Sequence, residues 1–199
     1  MKITTWNVNG IRAREAQVRE WLDRERPDIL CLQEIKAAID QVPATLCELE
    51  GYTCYWHGGK GYSGVGLHVR HGLFPAPPGF SHPPFDMEHR IVVADLGALT
   101  VASVYVPNGG KDYDAKLRFF EALVQFAGTC AAEGRALVLC GDLNIAREDR
   151  DIHPKERKPN QIGARKEERA LFADLLGHGL TDVGRALDPE NDSLFSWWA

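Results

Sequence analysis

The sequence predicts an α/β fold. Three observations carry the prediction. Two apolar runs, "DILCLQ" at 28–33 and "ALVLCG" at 136–141, read as strands buried on both faces. Each follows a helical pattern that itself follows a strand. A composition of 44% hydrophobic and 26% charged residues over 199 positions suits one compact domain with a sizeable core.

Taken in order, Lys2 to Asn9 reads as a strand, Ala13 to Glu25 as a helix with Ala16, Trp21 and Leu22 on or near one face, and "DILCLQ" as the next strand. Tyr52 to His57 and Gly64 to Arg70 form an expected hairpin around "GGKGYSG", whose glycines supply turn freedom. His71 to Glu88, rich in Pro, Gly and His, reads as a surface connection. "RIVVADL" and "LTVASVYV" read as paired strands joined near Gly97. Tyr113 to Glu133 is a long helix with Leu117, Phe120, Val124, Ala127 and Ala131 at helical spacing, and "ALVLCG" closes the unit.

The two halves echo each other in outline. The first runs from a strand through Asn9 and Gly10 to a helix and a strand ending near Glu34; the second runs through Asn108 and Gly109 to a helix and a strand ending at Asp142. A strand-helix-strand crossover makes its strands parallel and brings their carboxyl ends to one sheet edge, where α/β proteins bind ligands. If the two sheets pack face to face with helices outside, Asn7, Glu34, Asp142 and Asn144 converge on one cleft.

Composition narrows the setting. No apolar stretch reaches the roughly 18 residues that cross a bilayer, and "MKITTWNVNG" lacks the apolar region of a signal peptide, so a soluble, cytoplasmic protein with no membrane partner is expected. The five cysteines are odd in number and show no C-x-x-C spacing, which favours neither disulfides nor zinc. A formal charge of −5 argues against broad nonspecific binding to nucleic acid.

The local exception is "HPKERKPNQIGARK" at 153–166, where Lys155, Arg157, Lys158, Arg165 and Lys166 face the single acid Glu156. It reads equally as a phosphate-contacting loop or as a solvated charged one. Asp142 and Asn144 at the end of a buried strand read alone as turn residues, and Glu34 as a solvated loop acid. Tyr105 reads alone as a core aromatic with its hydroxyl at the rim.

Five motifs in order change the weighting: "WNVNGIRA" at 6–13, "LCLQEIKA" at 30–37, "GYSGVGL" at 61–67, "SVYVPNGG" at 103–110 and "CGDLNIA" at 140–146. Together they resemble the exonuclease III and apurinic/apyrimidinic endonuclease family, within the endonuclease/exonuclease/phosphatase superfamily. The resemblance implies a four-layer α/β sandwich of two packed mixed sheets flanked by helices. It also implies metal-dependent hydrolysis of DNA phosphodiesters by a base-excision repair enzyme, at abasic sites and 3′ ends of double-stranded DNA.

By the same resemblance Glu34 is a metal ligand supported by Asn7, Asp142 the general acid/base, Asn144 the amide that holds the phosphate, and Tyr105 an active-site phenol near it. Asn7, Glu34, Asp142 and Asn144 form an all-oxygen set suited to hard Mg²⁺ or Mn²⁺. Asn108 in the "PNGG" loop is expected either to hydrogen-bond near the scissile phosphate or to position Tyr105, and Lys60 and Tyr62 to lie near the DNA backbone. Arg90 is expected to support the site.

The chain departs from the family pattern in three places. His89 stands where the pattern has glycine, so the turn before Arg90 is expected to differ, and Ile35 stands where threonine is common. The chain stops at "SLFSWWA", where the pattern continues through segments that supply an orienting aspartate and a catalytic histidine. With Phe195, Trp197 and Trp198 crowding its last residues, the chain reads as lacking its C-terminal strands, and as a monomer when full length. Two other functions compete: a superfamily phosphodiesterase or phosphatase acting on RNA or a small molecule, and a catalytically silent DNA-binding remnant.

Overall fold

A computed structural model describes residues 1–197, and its backbone divides into two compact units, Met1–Tyr105 with Arg135–Leu143, and Val106–Gly134 with the chain from Asn144 onward. Among the described residues no helix is long and apolar enough to cross a membrane.

The first unit holds both sheets. One contains β1 (Ile3–Asn7), β2 (Ile29–Gln33), β3 (Tyr52–His57) and β4 (Val65–Arg70) in the order β1-β2-β4-β3. The other runs β5-β6-β7-β8, from β5 (Gly79–Ser81), β6 (Ile91–Asp95), β7 (Leu99–Tyr105) and β8 (Ala136–Asp142). The expected crossovers are present: β1 pairs parallel with β2, and β7 with β8, while the other pairs are antiparallel. Parallel pairing places Asn7 opposite Gln33 and Tyr105 opposite Asp142, so each crossover delivers its polar residues to one edge.

The sheets share a core in which Ile29, Cys31, Leu67 and Val69 of the first pack with Val92, Ala94 and Val101 of the second. One polar bridge crosses it. Buried Gln33 accepts from Thr5 Oγ1 (3.1 Å) and donates to Ser103 Oγ (3.1 Å), which donates to Leu32 O (3.2 Å), so the amide is satisfied where an unpaired one would be costly.

Between β1 and β2 lies α1 (Glu15–Glu25), preceded by a short 3-10 turn at Arg12–Arg14, so the helix starts two residues later than the pattern predicts. It buries Val18 and Leu22, with Trp21 edge-on to Trp6 at 6.0 Å, but Ala16 is exposed. Arg26 ends it in the left-handed conformation (φ 42°), with Pro27 next. A four-residue helix, α2 (Ala44–Cys47), precedes β3. The segment 71–88 is not only a connection, since β5 lies within it and pairs antiparallel with β6. Its three residues are too few for a periodic signal.

In the second unit α3 (Tyr113–Ala132) is capped by Asp112, which accepts from Ala115 N at 2.9 Å. Its buried face runs through Lys116, Phe119, Phe120, Leu123, Ala127 and Cys130; Leu117 and Val124 are half-buried and Ala131 exposed, so the face is rotated from the one the apolar spacing predicts. The cause is Lys116. Its ammonium is fully buried against Glu168 (2.5 Å) on α4 (Lys166–Gly177) and donates to Asn144 O (2.7 Å). Glu168 also accepts from the backbone N–H of Gly163 (2.7 Å) and Arg165 (3.0 Å), so the pair keeps its hydrogen bonds in exchange for water. A last helix, α5 (Val183–Leu187), carries Arg185, whose guanidinium pairs with buried Asp151. Trp197 makes one parallel bridge to Ile152; Trp198 and Ala199 lie outside the described residues.

Candidate active site

Asn7 is the last residue of β1, and its side-chain N–H₂ is shared by two acids: Nδ2 donates to Glu34 Oε1 at 2.8 Å and to Asp142 Oδ2 at 3.0 Å. Its Oδ1 accepts from Asn9 N at 3.1 Å, which fixes the orientation of the amide. Two like charges are thus held near each other by one neutral donor, on the ends of strands from two sheets.

Asp142 reaches this position because of Gly141. At φ 147° a Cβ on residue 141 would overlap the carbonyl oxygen of Val104, so only glycine lets β8 run this close to β7 as it ends. Glu34 follows β2 in the left-handed conformation (φ 52°), as does Lys36 (φ 50°). That turn brings the Lys36 ammonium to 2.8 Å from Glu34 Oε2 and 2.5 Å from Asn9 Oδ1. Burial would raise the Glu34 carboxyl, but the hydrogen bonds from Asn7 and Lys36 outweigh it and hold it below its usual range. Glu34 is therefore an anion at neutral pH.

Tyr105 ends β7 beside the Glu34 carboxylate. Burial, then the negative charge of Glu34, push its phenol up to about 12. Behind it Arg90, buried, lies with its guanidinium 4.8 Å from the ring centroid. Arg90 is gripped in turn by Glu88, whose Oε2 accepts from Nη2 (2.8 Å) and Nε (3.1 Å), while Oε1 accepts from the Tyr62 hydroxyl (2.9 Å). One polar chain thus joins Tyr62, Glu88, Arg90, Tyr105, Glu34, Asn7 and Asp142.

In the turn before Arg90, Glu88 (φ 54°) and His89 (φ 60°) both take the left-handed conformation that glycine adopts without cost. The penalty for L-residues there is about 1–2 kcal/mol each.

The structure therefore brings together Asn7, Glu34, Tyr105 and Asp142, with Arg90 and Tyr62 attached. Lys60 lies exposed in the turn between β3 and β4. Asn144 and Asn108 belong to the second unit. The Asn144 amide donates to Val106 O at 2.8 Å, and exposed Asn108 accepts from Gly110 N at 3.0 Å in a local turn. Sequence reasoning missed Lys36 and Glu88. Lys36 lies inside the "LQEIKA" motif, and its signal is its place on a turn two residues after the acid.

The donor set fits a hard divalent ion. Glu34 and Asp142 supply charged oxygens, their remaining lone pairs leave room for water and phosphate oxygens, and no thiolate or imidazole is among them.

Fold and cluster together define a class. The chain belongs to the Endonuclease/Exonuclease/phosphatase family, whose model matches residues 4–198. Its relatives are of the exodeoxyribonuclease III and AP endonuclease type. It is 35% identical to the DNA repair nuclease APEX1 of Danio rerio, spanning 66% of that protein, and 32% identical to the exodeoxyribonuclease III of Haemophilus influenzae, spanning 80%. All of this chain is covered in both matches. A solved 3′-5′ exonuclease (NExo) from Neisseria meningitidis superposes with a TM-score of 0.83 at 37% identity, over 96% of this chain and 76% of that one. Another structure of that enzyme type is described as a 3′ phosphatase bound to a product DNA hairpin.

Proposed function

We propose that the protein hydrolyses phosphodiesters of double-stranded DNA at abasic sites and 3′ ends, with Mg²⁺ or Mn²⁺. The observation that carries this reading is the Asn7 amide shared by Glu34 and Asp142. It holds two anions in fixed relation at the meeting point of two parallel crossovers. Glu34 and Asp142 would hold the ion, with Asn7 keeping their carboxylates aimed. When bound, the ion supplies charge to the phosphate and orients a water or leaving oxygen.

The remaining roles belong to the chain. Asp142 takes the proton from the attacking water as its oxygen bonds to phosphorus, the P–O bond to the leaving oxygen breaks, and that oxygen takes up a proton from solvent. Tyr105, a neutral phenol at working pH, can donate to a phosphate oxygen and cannot repel it. The family resemblance assigns Asn144 the part of a second neutral donor, and its amide donates to Val106 O. Arg90 sets the ring of Tyr105, Lys60 and Tyr62 meet the DNA backbone, and the family resemblance assigns Asn108 to the neighbourhood of the scissile phosphate.

End-labelled abasic duplex, the same duplex without the lesion, and RNA of the same sequence separate the readings. Incision of the abasic strand that EDTA abolishes, with Glu34→Gln and Asp142→Asn each lowering kcat by about 10²–10⁴, is expected. Preferred turnover of RNA would favour a different superfamily phosphodiesterase. Retention of DNA without turnover would leave only a binding protein.

A further inference from the structure

A second polar cluster lies in the first unit on residues that the proposed hydrolysis does not use. His57 ends β3, His82 follows β5, and Asp86 opens the turn into β6; all three are half-buried. One ligand atom from each lies within 4.8 Å of the others. The rings of His57 and His82 stack at 3.7 Å with 23° between planes, so their in-plane lone pairs run nearly side by side and the rings must splay for both to meet one ion.

Hydrogen bonds decide which atoms are presented. Asp86 Oδ1 is taken by the backbone N–H of Arg90 (2.8 Å) and Ile91 (3.1 Å), which leaves Oδ2 for the cluster, 2.6 Å from His57 Nε2. His82 Nδ1 lies 3.2 Å from Ile91 O and must be the protonated nitrogen there. Its Nε2 therefore carries the lone pair, which the Tyr55 hydroxyl meets at 2.9 Å. An imidazole with one nitrogen tied to a backbone carbonyl and the other presented is the arrangement that orients histidines on metals.

We propose that His57 Nε2, His82 Nε2 and Asp86 Oδ2 bind one transition-metal dication of the zinc class, at a site distinct from the oxygen donors Glu34 and Asp142. Two imidazoles and a carboxylate leave a fourth tetrahedral position for water, and imidazole selects Zn²⁺, Co²⁺ or Ni²⁺ over Mg²⁺. Metal–ligand bonds of about 2.0–2.2 Å place tetrahedral donors roughly 3.3 Å apart. The His57–Asp86 pair then opens slightly, and the stacked rings of His57 and His82 splay until both Nε2 lone pairs point at the ion. The ion replaces the proton shared by His57 and Asp86, which leaves to solvent, and the Tyr55 hydroxyl turns from Nε2 to water. His89 stands edge-on to His57 at 4.7 Å and walls the cluster. Because Asp86 also holds the N–H of Arg90, occupancy would stiffen the turn that sets Arg90 against Tyr105.

Co²⁺, whose d–d absorption reports coordination directly, is titrated into the full chain with millimolar Mg²⁺ present. One equivalent should bind with tetrahedral-type absorption, and Zn²⁺ should displace it. His57→Gln and His82→Gln should each weaken binding by about 100-fold or more, since even partners outside the ligand set are worth about 10–100-fold. Glu34→Gln should leave it unchanged. Tyr55→Phe removes only the competing hydroxyl and should bind as tightly or more so, which keeps the test decisive if a histidine variant fails to fold. Loss of the absorption in Glu34→Gln, or its persistence in both histidine variants, would overturn the assignment, as would a 100-fold loss in Tyr55→Phe.

Discussion

Tyr105 shows how a single residue's surroundings decide its chemistry, because burial and the charge of Glu34 raise its phenol to about 12 and so keep it a donor throughout the useful pH range. The raised value also fixes a sign. Between an unfolded value near 10 and the folded one, the unfolded chain releases its proton and the folded chain does not, so stability falls as pH rises through that window. Tyr113, raised to about 12 by burial and by its bond to Glu167, behaves alike. Titration followed by ultraviolet absorbance should show both tyrosines ionising late, and Tyr105→Phe should remove one late step. Loss of an early step would mean that Tyr105 is solvated.

At this scale the motifs made Asn7, Glu34, Tyr105 and Asp142 legible, because each is a residue type whose chemistry is unusual at a strand end. Lys36 and Glu88 were not. Their partners depend on left-handed backbone at residues 34, 36, 88 and 89, and none of those is a glycine that would announce it.

Among elements, the crossovers were readable because parallel strands are buried on both faces and show as unbroken apolar runs. The phase of α3 was not, because a buried lysine counts as polar in any hydrophobic pattern until its partner on α4 is known. A reverse case sits in β4. His68 is fully buried, both ring nitrogens lack a hydrogen-bond partner, and burial lowers its pKa to about 3. The unfolded chain takes up the proton below about 6.5 and the folded chain does not, so stability falls as pH drops from that value towards 3, by about 1.4 kcal/mol per unit. His68→Leu should raise stability at neutral pH by about 1–3 kcal/mol, the cost of unsatisfied polar groups, and flatten the acid limb. Urea denaturation at pH 7 and pH 5 measures both; a destabilised variant with unchanged pH dependence would show that the ring packs better than it solvates.

For the molecule as a whole, a formal charge of −5 has to be reconciled with a polyanionic substrate. Under the proposed function, the stretch at 153–166 is the candidate source of cations. Lys155, Arg157, Lys158 and Lys166 are exposed, whereas Arg165 lies over the Tyr113 ring at 4.4 Å and bonds to Asn160 O. Lys155→Glu combined with Lys158→Glu should weaken duplex binding, and the slope of log affinity against log salt should shrink by about 0.9 for each phosphate that is no longer neutralised. An unchanged slope would assign this stretch to solvent.

Asn9 (φ 46°), Glu34 and Lys36 form one hydrogen-bonded knot, and all three backbones sit where L-residues are uncomfortable. At about 1–2 kcal/mol each, the knot is a sizeable fraction of the net stability of a domain of this size. Glycine at these positions would relax the chain but delete the Glu34 and Lys36 charges and the Asn9 amide that holds Lys36, which the proposed chemistry uses. Breeding the protein for heat tolerance and breeding it for turnover would therefore pull the same three codons in opposite directions.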